Sequence, residues 1–160
     1  MIPRHKLDEL DFHIIEQLRR DARISCSDIA RSLKANERTI RKRIDRLVED
    51  GTIRLTAILD PLAFGYVVAL DIFIEVEISR EQSIVADLLV MPEVTYLAFG
   101  QGSTDISIEA RFKDNDEARD FLRKTLPAIQ GVTVKGSTLV PKILRNIDEW
   151  TPPISEFNSD

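Results

Sequence analysis

The sequence predicts an α+β protein, a three-helix winged helix-turn-helix unit followed by a ferredoxin-like βαββαβ domain. Three observations carry that expectation. Residues 36–49, NERTIRKRIDRLVE, gather Arg38, Arg41, Lys42, Arg43 and Arg46 on one stretch whose apolar residues Ile40, Ile44, Leu47 and Val48 recur at helical spacing. Two shorter helical patterns precede it. Beyond residue 52 the apolar period becomes alternating, and elements come in the order β-α-β-β-α-β.

The N-terminal unit is placed at residues 1–52. Its first helix, residues 7–20, carries Leu7, Leu10, Ile14, Ile15 and Leu18 on one stripe. Asp8, Glu9 and Asp11 fall in the first turn, where carboxylates complement the helix dipole. Residues 27–33 form the second helix, capped by Ser25 or Ser27, and Lys34-Ala35-Asn36 is the turn to the third. Ile29, Ala30, Leu33 and Ile40 sit where paired helices need apolar contact, and small Ala30 permits close approach. Asn36 offers an N-cap oxygen to the basic helix, and Gly51 fits a left-handed position just past its end. Lys34 stands where such a turn often holds glycine, so a different turn geometry is expected.

A basic helix with one buried face suits the major groove of double-stranded DNA, its cations meeting phosphates and its polar tips meeting base edges. Arg38, Thr39, Arg41 and Lys42, near the N-terminal half, are assigned to bases or adjacent phosphates. Arg43 and Arg46 complete the DNA-binding set, with two roles open: phosphate contact, or holding the fold through carboxylates such as Asp45 or Glu49. A solvated surface helix is the plain alternative for this composition. The helix and turn that precede it favour DNA.

Residues 53–65 read as a strand and linker. Ile53, Leu55, Ala57 and Leu59 alternate onto one face, and Asp60-Pro61 and Gly65 punctuate the junction with the next domain. A lone strand needs a partner, so it is expected to pair with its counterpart in a second chain or with that domain. The second domain, residues 66–145, contains strands at 66–78, 94–99, 105–112 and 131–140. One helix opens at a Ser79-Arg80-Glu81-Gln82 capping box; the other starts at Asp114-Asn115-Asp116-Glu117 and stops at Pro127. The tail, 146–160, contains Pro152-Pro153 and is expected to be extended or disordered, with Trp150 an anchor on a protein surface.

The net charge of −5 suits a DNA binder only once it is divided. Residues 1–54 hold 13 Lys and Arg against 10 Asp and Glu, whereas residues 55–160 hold 9 against 17. The basic part would meet nucleic acid, and the acidic part would keep the protein off non-specific anions. No apolar signal region or membrane-length run is seen, so no membrane partner and a cytoplasmic location are expected.

Catalysis finds little support. Histidine occurs only at His5 and His13, and Cys26 is the single cysteine, expected to be an inert, partly packed thiol. Asp114, Asp116 and Glu117 are explained by helix capping better than by a cation site. No metal or cofactor is expected. Gly100 and Gly102 are read either as a hairpin turn or as a ligand contact, and no helix start comes after them as a phosphate loop would need.

The run from Leu7 to Gly65 resembles the N-terminal half of the Lrp/AsnC family, the leucine-responsive and asparagine-synthetase-type transcription regulators. The elements that carry the resemblance are Leu7-Asp8 with Asp11, Arg23-Ile24-Ser25, Ile29-Ala30, Arg43, Leu47, Gly51-Thr52-Ile53, Asp60-Pro61 and Gly65. Gly102-Ser103-Thr104-Asp105 is similar to the family's Gly-x-x-Asp turn. The resemblance spans about residues 4–145 and implies a regulator whose second domain oligomerises, as a dimer or up to an octamer, and binds an amino acid or similar metabolite. Open backbone at Gly100 and Gly102 would take the carboxylate, Ser103 and Thr104 add hydroxyls, and Asp105 would hold the ammonium. Ser137 and Thr138 are weaker candidates for an opposite wall. Alternatively Asp105 only stabilises the hairpin. Two other functions share the architecture: a sirohaem-decarboxylase-like enzyme, which wants histidine in the second domain, and a ligand-independent nucleoid-type DNA binder.

Overall fold

In the computed structural model, which describes residues 6–100 and 102–157, the first helix begins where Asp8 can cap it. The Asp8 carboxylate accepts the Asp11 amide at 3.0 Å, and the Asp11 carboxylate accepts the Asp8 amide at 3.2 Å, a reciprocal cap for α1 (Glu9–Arg20). Ser25 caps α2 (Cys26–Leu33) through the Asp28 amide at 3.1 Å. Asn36 caps α3 (Glu37–Glu49) through the Arg38 amide at 2.8 Å. His5, Gln101 and the last three residues of the tail lie outside the described residues.

The turn between α2 and α3 corrects one expectation. Lys34 itself adopts the left-handed conformation, φ 52° and ψ 39°, so the geometry is the usual one with lysine in the glycine position. Its amide reaches back to the Ala30 carbonyl and closes α2. Gly51, at φ 68°, closes α3: the Gly51 amide bonds to the Val48 carbonyl and the Thr52 amide to the Leu47 carbonyl. Ile14, Ile29, Ile40 and Leu47 are fully buried between the three helices. Val48, expected on the apolar face, is exposed.

Residues 1–58 and 146–160 form one compact unit and residues 59–145 a second. The second contains β1 (Val68–Val76), α4 (Glu81–Leu89), β2 (Val94–Phe99), β3 (Ile106–Phe112), α5 (Asn115–Asp120) and β4 (Val132–Leu139). The sheet order is β2-β3-β1-β4 and each pairing is antiparallel, as a βαββαβ unit requires. Leu70, Ile72, Ile74 and Val76 of β1 and Ile106, Ile108, Ala110 and Phe112 of β3 share one core with Ile84 and Leu88 of α4 and Ala118 of α5. Both helices therefore cover the same face of the sheet.

Three further expectations are corrected here. Residues 53–60 form no strand, because among the described residues nothing offers them ladder hydrogen bonds; Leu55, Ile58 and Leu59 stay exposed. Ser79 does not cap α4. It lies in a 3-10 turn and donates to Glu77 Oε1 at 2.6 Å, and Ile78, expected inward, is exposed. The second helix of this unit does not stop at Pro127. It passes from α5 through a π-helical turn, Phe121–Thr125, in which the Leu126 amide bonds to the Phe121 carbonyl, and ends at Ala128. Proline crowds the carbonyl four residues back, and the wider turn accommodates it. The Asp114 carboxylate accepts the Asp116 and Glu117 amides at 2.8 and 2.9 Å, a cap as expected.

A lysine held at positive φ stores strain that a glycine at φ 68° does not. Lys34→Gly is expected to raise stability by about 0.5 kcal/mol after the added freedom of the unfolded chain is subtracted, and Gly51→Ala to lower it by about 1 kcal/mol. Urea unfolding of the two variants gives opposite signs if Lys34 holds the left-handed turn.

Candidate functional site

α3 presents two sets of cations. Arg38 and Lys42 are exposed and make no ion pair with a described residue; Thr39 lies exposed between them in sequence. Arg41 is also exposed, but its Nη2 bonds to Glu37 Oε1 at 2.8 Å one turn away on the same helix. The Glu37 hydrogen bond raises the Arg41 guanidinium further above its ordinary value, so it remains a cation at every accessible pH.

Arg43 and Arg46 point the other way, to α1. Arg43 Nη1 bonds to Asp8 Oδ1 at 2.6 Å and to Asp11 Oδ1 at 3.0 Å, and Arg46 Nη2 bonds to Asp11 Oδ2 at 2.7 Å. Asp11 is wholly buried, while both arginines are half-buried. Of their two open roles the fold-holding one is what this geometry serves, but the carboxylates are Asp8 and Asp11, not Asp45 or Glu49. Asn36, Arg38, Thr39, Lys42, Arg43 and Arg46 nonetheless border one open groove of about 440 Å³.

Burial draws the Asp8 carboxyl upward, but hydrogen bonds from Arg43 and from the Asp11 and Leu10 amides outweigh it and hold the group below its ordinary value. The Arg43 guanidinium is raised, first by its bond to Asp8. The charged pair is the stable form in the folded chain.

In the second unit the turn after β2 is tightly built. The Gly100 amide donates to the Asp105 carbonyl at 2.7 Å, and a Cβ at Gly100 would lie 2.8 Å from the Thr104 carbonyl oxygen, so no other residue fits. Gly102 sits at φ 144°. Ser103 is exposed and Thr104 half-buried. Asp105 is tied to β1 twice: its amide donates to the Ile74 carbonyl at 3.0 Å, and its Oδ2 accepts the Val76 amide at 2.8 Å. The bond expected within the hairpin runs instead to a neighbouring strand. Ser137 and Thr138 are not brought to this turn. They lie opposite Ile72 and Asp71, whereas Val132 and Thr133 occupy the end of β4 beside Val76 and Glu75. As strand neighbours, Ser137 and Thr138 also face opposite sides of the sheet. Clefts of about 420 Å³ around Tyr66, Lys113 and Thr125 and of about 480 Å³ around Arg80, Asp87 and Gln130 lie elsewhere in the unit.

Among the described residues there is no cluster of three metal-ligating side chains, and no helix is long and apolar enough to cross a membrane.

Comparison with known proteins gives the two halves names. The profile described as winged helix-turn-helix DNA-binding matches residues 7–54, and that described as Lrp/AsnC ligand binding domain matches residues 71–145. An HTH-type transcriptional regulator of Pyrococcus horikoshii is 32% identical over 146 residues, covering 91% of this chain and 90% of its own. The chain belongs to the Lrp/AsnC family. It is a DNA-binding transcriptional regulator with a ligand-binding domain. The structure of E. coli AsnC superposes with a TM-score of 0.81 at 25% identity, over 89% of this chain and 98% of that one. A transcriptional regulator of Neisseria meningitidis solved as an L-Met complex shares the fold, with a TM-score of 0.83 at 21% identity over 91% and 96% of the two chains.

For this Lrp/AsnC chain the role that sequence reading missed is that of Asp8 and Asp11 as partners of Arg43 and Arg46; the sequence marked them as dipole partners and as elements of the family resemblance. The signal was present. Asp11 shares the stripe of Leu7, Ile14 and Leu18, at successive spacings of four, three and four residues, so a carboxylate sits where the pattern calls for an apolar side chain. A buried carboxylate demands cations, and α3 supplies two.

Removing Asp11 leaves Arg46 without its ion pair and Arg43 with one of two. Asp11→Ala is expected to cost about 3 kcal/mol, while Asp45→Ala changes stability by less than about 0.5 kcal/mol; chemical denaturation separates them. The lowered Asp8 carboxyl contributes stability above its unfolded value and loses it as pH falls through the folded one. The N-terminal unit should therefore weaken below about pH 4, and Asp8→Asn should flatten that limb of the pH profile.

Proposed function

We propose that this regulator reads a specific DNA operator with the exposed start of α3, Arg38, Thr39 and Lys42 meeting base edges and nearby phosphates. Arg41 adds phosphate contact after exchanging Glu37 for the backbone. Arg43 and Arg46 serve binding by holding α3 against α1. The observation that carries this reading is the division of the helix: Arg38, beside Thr39, and Lys42, one turn on, make no ion pair with a described residue, while the other three cations are engaged. Each head covers one half-site, so the working species is a two-fold dimer, with an octamer as its higher assembly. Residues 53–60 support that assembly, carrying exposed apolar side chains with no ladder partner among the described residues. A cytoplasmic location goes with this reading. A sirohaem-decarboxylase-like enzyme is set aside, since no histidine lies beyond His13.

The same proposal gives the second unit an amino acid as ligand. Support comes from the Lrp/AsnC ligand-binding profile, from the L-Met complex of the meningococcal regulator, and from the built turn at Gly100–Asp105. Backbone at Gly100 and Gly102, with the Ser103 and Thr104 hydroxyls, would take the carboxylate. Asp105 fixes the turn through Oδ2 and would meet the ammonium with Oδ1. Ser137 and Thr138 would contribute only from another chain of the assembly.

The DNA part is tested by salt titration on the operator and on unrelated DNA. A base-reading arginine or lysine changed to Ala should cost about 1–3 kcal/mol on the operator alone, whereas a phosphate contact should weaken all sequences and reduce the salt slope by about one. If an Arg38→Ala, Lys42→Ala double variant keeps both affinity and slope, the assignment is wrong. The ligand part is tested by thermal shift with the twenty amino acids. Ser103→Ala with Thr104→Ala should abolish the shift of the active one at unchanged basal stability, and Asp105→Ala should in addition lower basal stability by about 1–2 kcal/mol, since the Val76 amide loses its acceptor. No shift with any amino acid at millimolar concentration would remove this half of the proposal.

A further inference from the structure

The DNA-binding unit is not made of the N-terminal segment alone. After the second unit the chain returns at Asn146, and residues 146–160 belong to the same compact unit as residues 1–58. The returning segment is neither disordered nor simply extended over its described length. Asn146 Oδ1 accepts the Ile147 amide at 2.8 Å and starts a 3-10 turn, Ile147–Glu149. Pro152-Pro153 leads into a second 3-10 turn, Ile154–Phe157, in which the Pro153 carbonyl accepts the Glu156 amide at 3.0 Å.

Phe157 is the anchor. It is only 3% exposed, sits in the core of the three helices, and packs edge-to-face on Phe12 of α1 with ring centroids 5.1 Å apart. Near the other end of the segment the Asp148 carbonyl accepts Arg19 Nη2 of α1 at 3.4 Å. Trp150, the residue the sequence marks as the anchor, is 56% exposed. Asp148, Glu149 and Glu156 bring negative charge to a unit whose first 54 residues carry an excess of three positive ones. The helix-turn-helix match, residues 7–54, includes none of this segment.

We propose that α1 carries a peptide-docking face for the chain's own C-terminal segment, and that seating Phe157 there completes the DNA-binding unit and is needed for full DNA affinity. The affinity clause rests on the operator reading above; the docking clause does not. With the face empty, Phe12 and its apolar neighbours meet water, the folded fraction of the head falls, and apparent affinity falls with it.

The single tryptophan makes the test direct, because a chain ending at Arg145 contains none. A peptide of residues 146–157 should bind that truncated chain, with a saturable rise in Trp150 anisotropy, and a Phe157→Ala peptide should not. In the full chain, Phe157→Ala should lower the melting temperature by about 5–10 °C and weaken operator binding about tenfold near 37 °C, with Phe157→Leu restoring most of both. The proposal is overturned if truncation and Phe157→Ala both leave the melting temperature and DNA affinity at the full-chain values, or if the Phe157→Ala peptide binds as well as the native one. A full chain that prefers no DNA sequence would count against the operator reading instead, and the anisotropy and melting data would still decide the docking.

Discussion

Asp11 lies wholly buried on the inner face of α1, where a carboxylate must be compensated. Taking a carboxylate out of water costs several kcal/mol, and that cost is met only where cations and hydrogen bonds surround it. Here they come from three directions: Arg43, Arg46 and the Asp8 amide. The geometry is demanding because both arginines leave the same helix one turn apart and converge on one group. Apolar contacts at Ile40 and Leu47 would let α3 slide or roll with little penalty, since they are non-directional. The ion cluster does not. It fixes the rotation of α3 about its axis, and so decides which residues remain to face outward. The Arg46 Nε is buried without a hydrogen-bond partner, a local cost that the bond to Asp11 offsets.

A second carboxylate acts in a similar way in the other unit. Asp105 joins the β2–β3 connection to the end of β1 by accepting the Val76 amide, where the sheet ladder would leave that amide without a partner. Gly100 is required by the close approach of the Thr104 carbonyl oxygen, which a Cβ would meet at 2.8 Å. In both units a charged side chain is committed to position. The consequence for function differs: pinning α3 exposes Arg38 and Lys42, and pinning the turn leaves Ser103 exposed.

Much of this was legible in the sequence because periodicity reports burial. The stripe of Leu7, Ile14 and Leu18, the alternation in β1 and β3, and the caps at Ser25, Asn36 and Asp114 all predict local structure that forms. The features that stayed hidden have physical causes. Ser79 has capping-box spacing, but its hydroxyl finds the Glu77 carboxylate instead of a free helix amide. Alternation at residues 53–59 reports a two-faced segment, not the strand that would have to lie beside it. The tail has the proline content of a loop, and only the distant Phe12 gives Phe157 a place to go. For the site, residue type identified the basic helix, yet it could not separate cations facing solvent from those facing Asp11, because that depends on a contact between residues far apart in sequence. Ser137 and Thr138 were grouped by chemistry, and strand register separates them from the turn.

The ion pairs also bear on the dimer proposed above. Of the five cations on α3, Arg41 is paired with Glu37, and Arg43 and Arg46 are paired with α1, which leaves Arg38 and Lys42 without an ion pair to described residues. Each phosphate neutralised contributes roughly 0.9 to the salt dependence of binding, so two unpaired cations, with Arg41 reaching a phosphate only by giving up Glu37, lend α3 a weak electrostatic grip at physiological salt. The acidic remainder of the chain adds no attraction. A head of this kind gains useful affinity by being joined to a second, since the second contact is then made at high effective concentration and the weak terms combine. The exposed apolar residues Leu55, Ile58, Leu59, Leu62 and Phe64 are where such a join would also bury surface that a single chain leaves in water. The scarcity of unpaired cations in the recognition helix and the apolar exposure in the segment after it thus support the same proposal, a dimer.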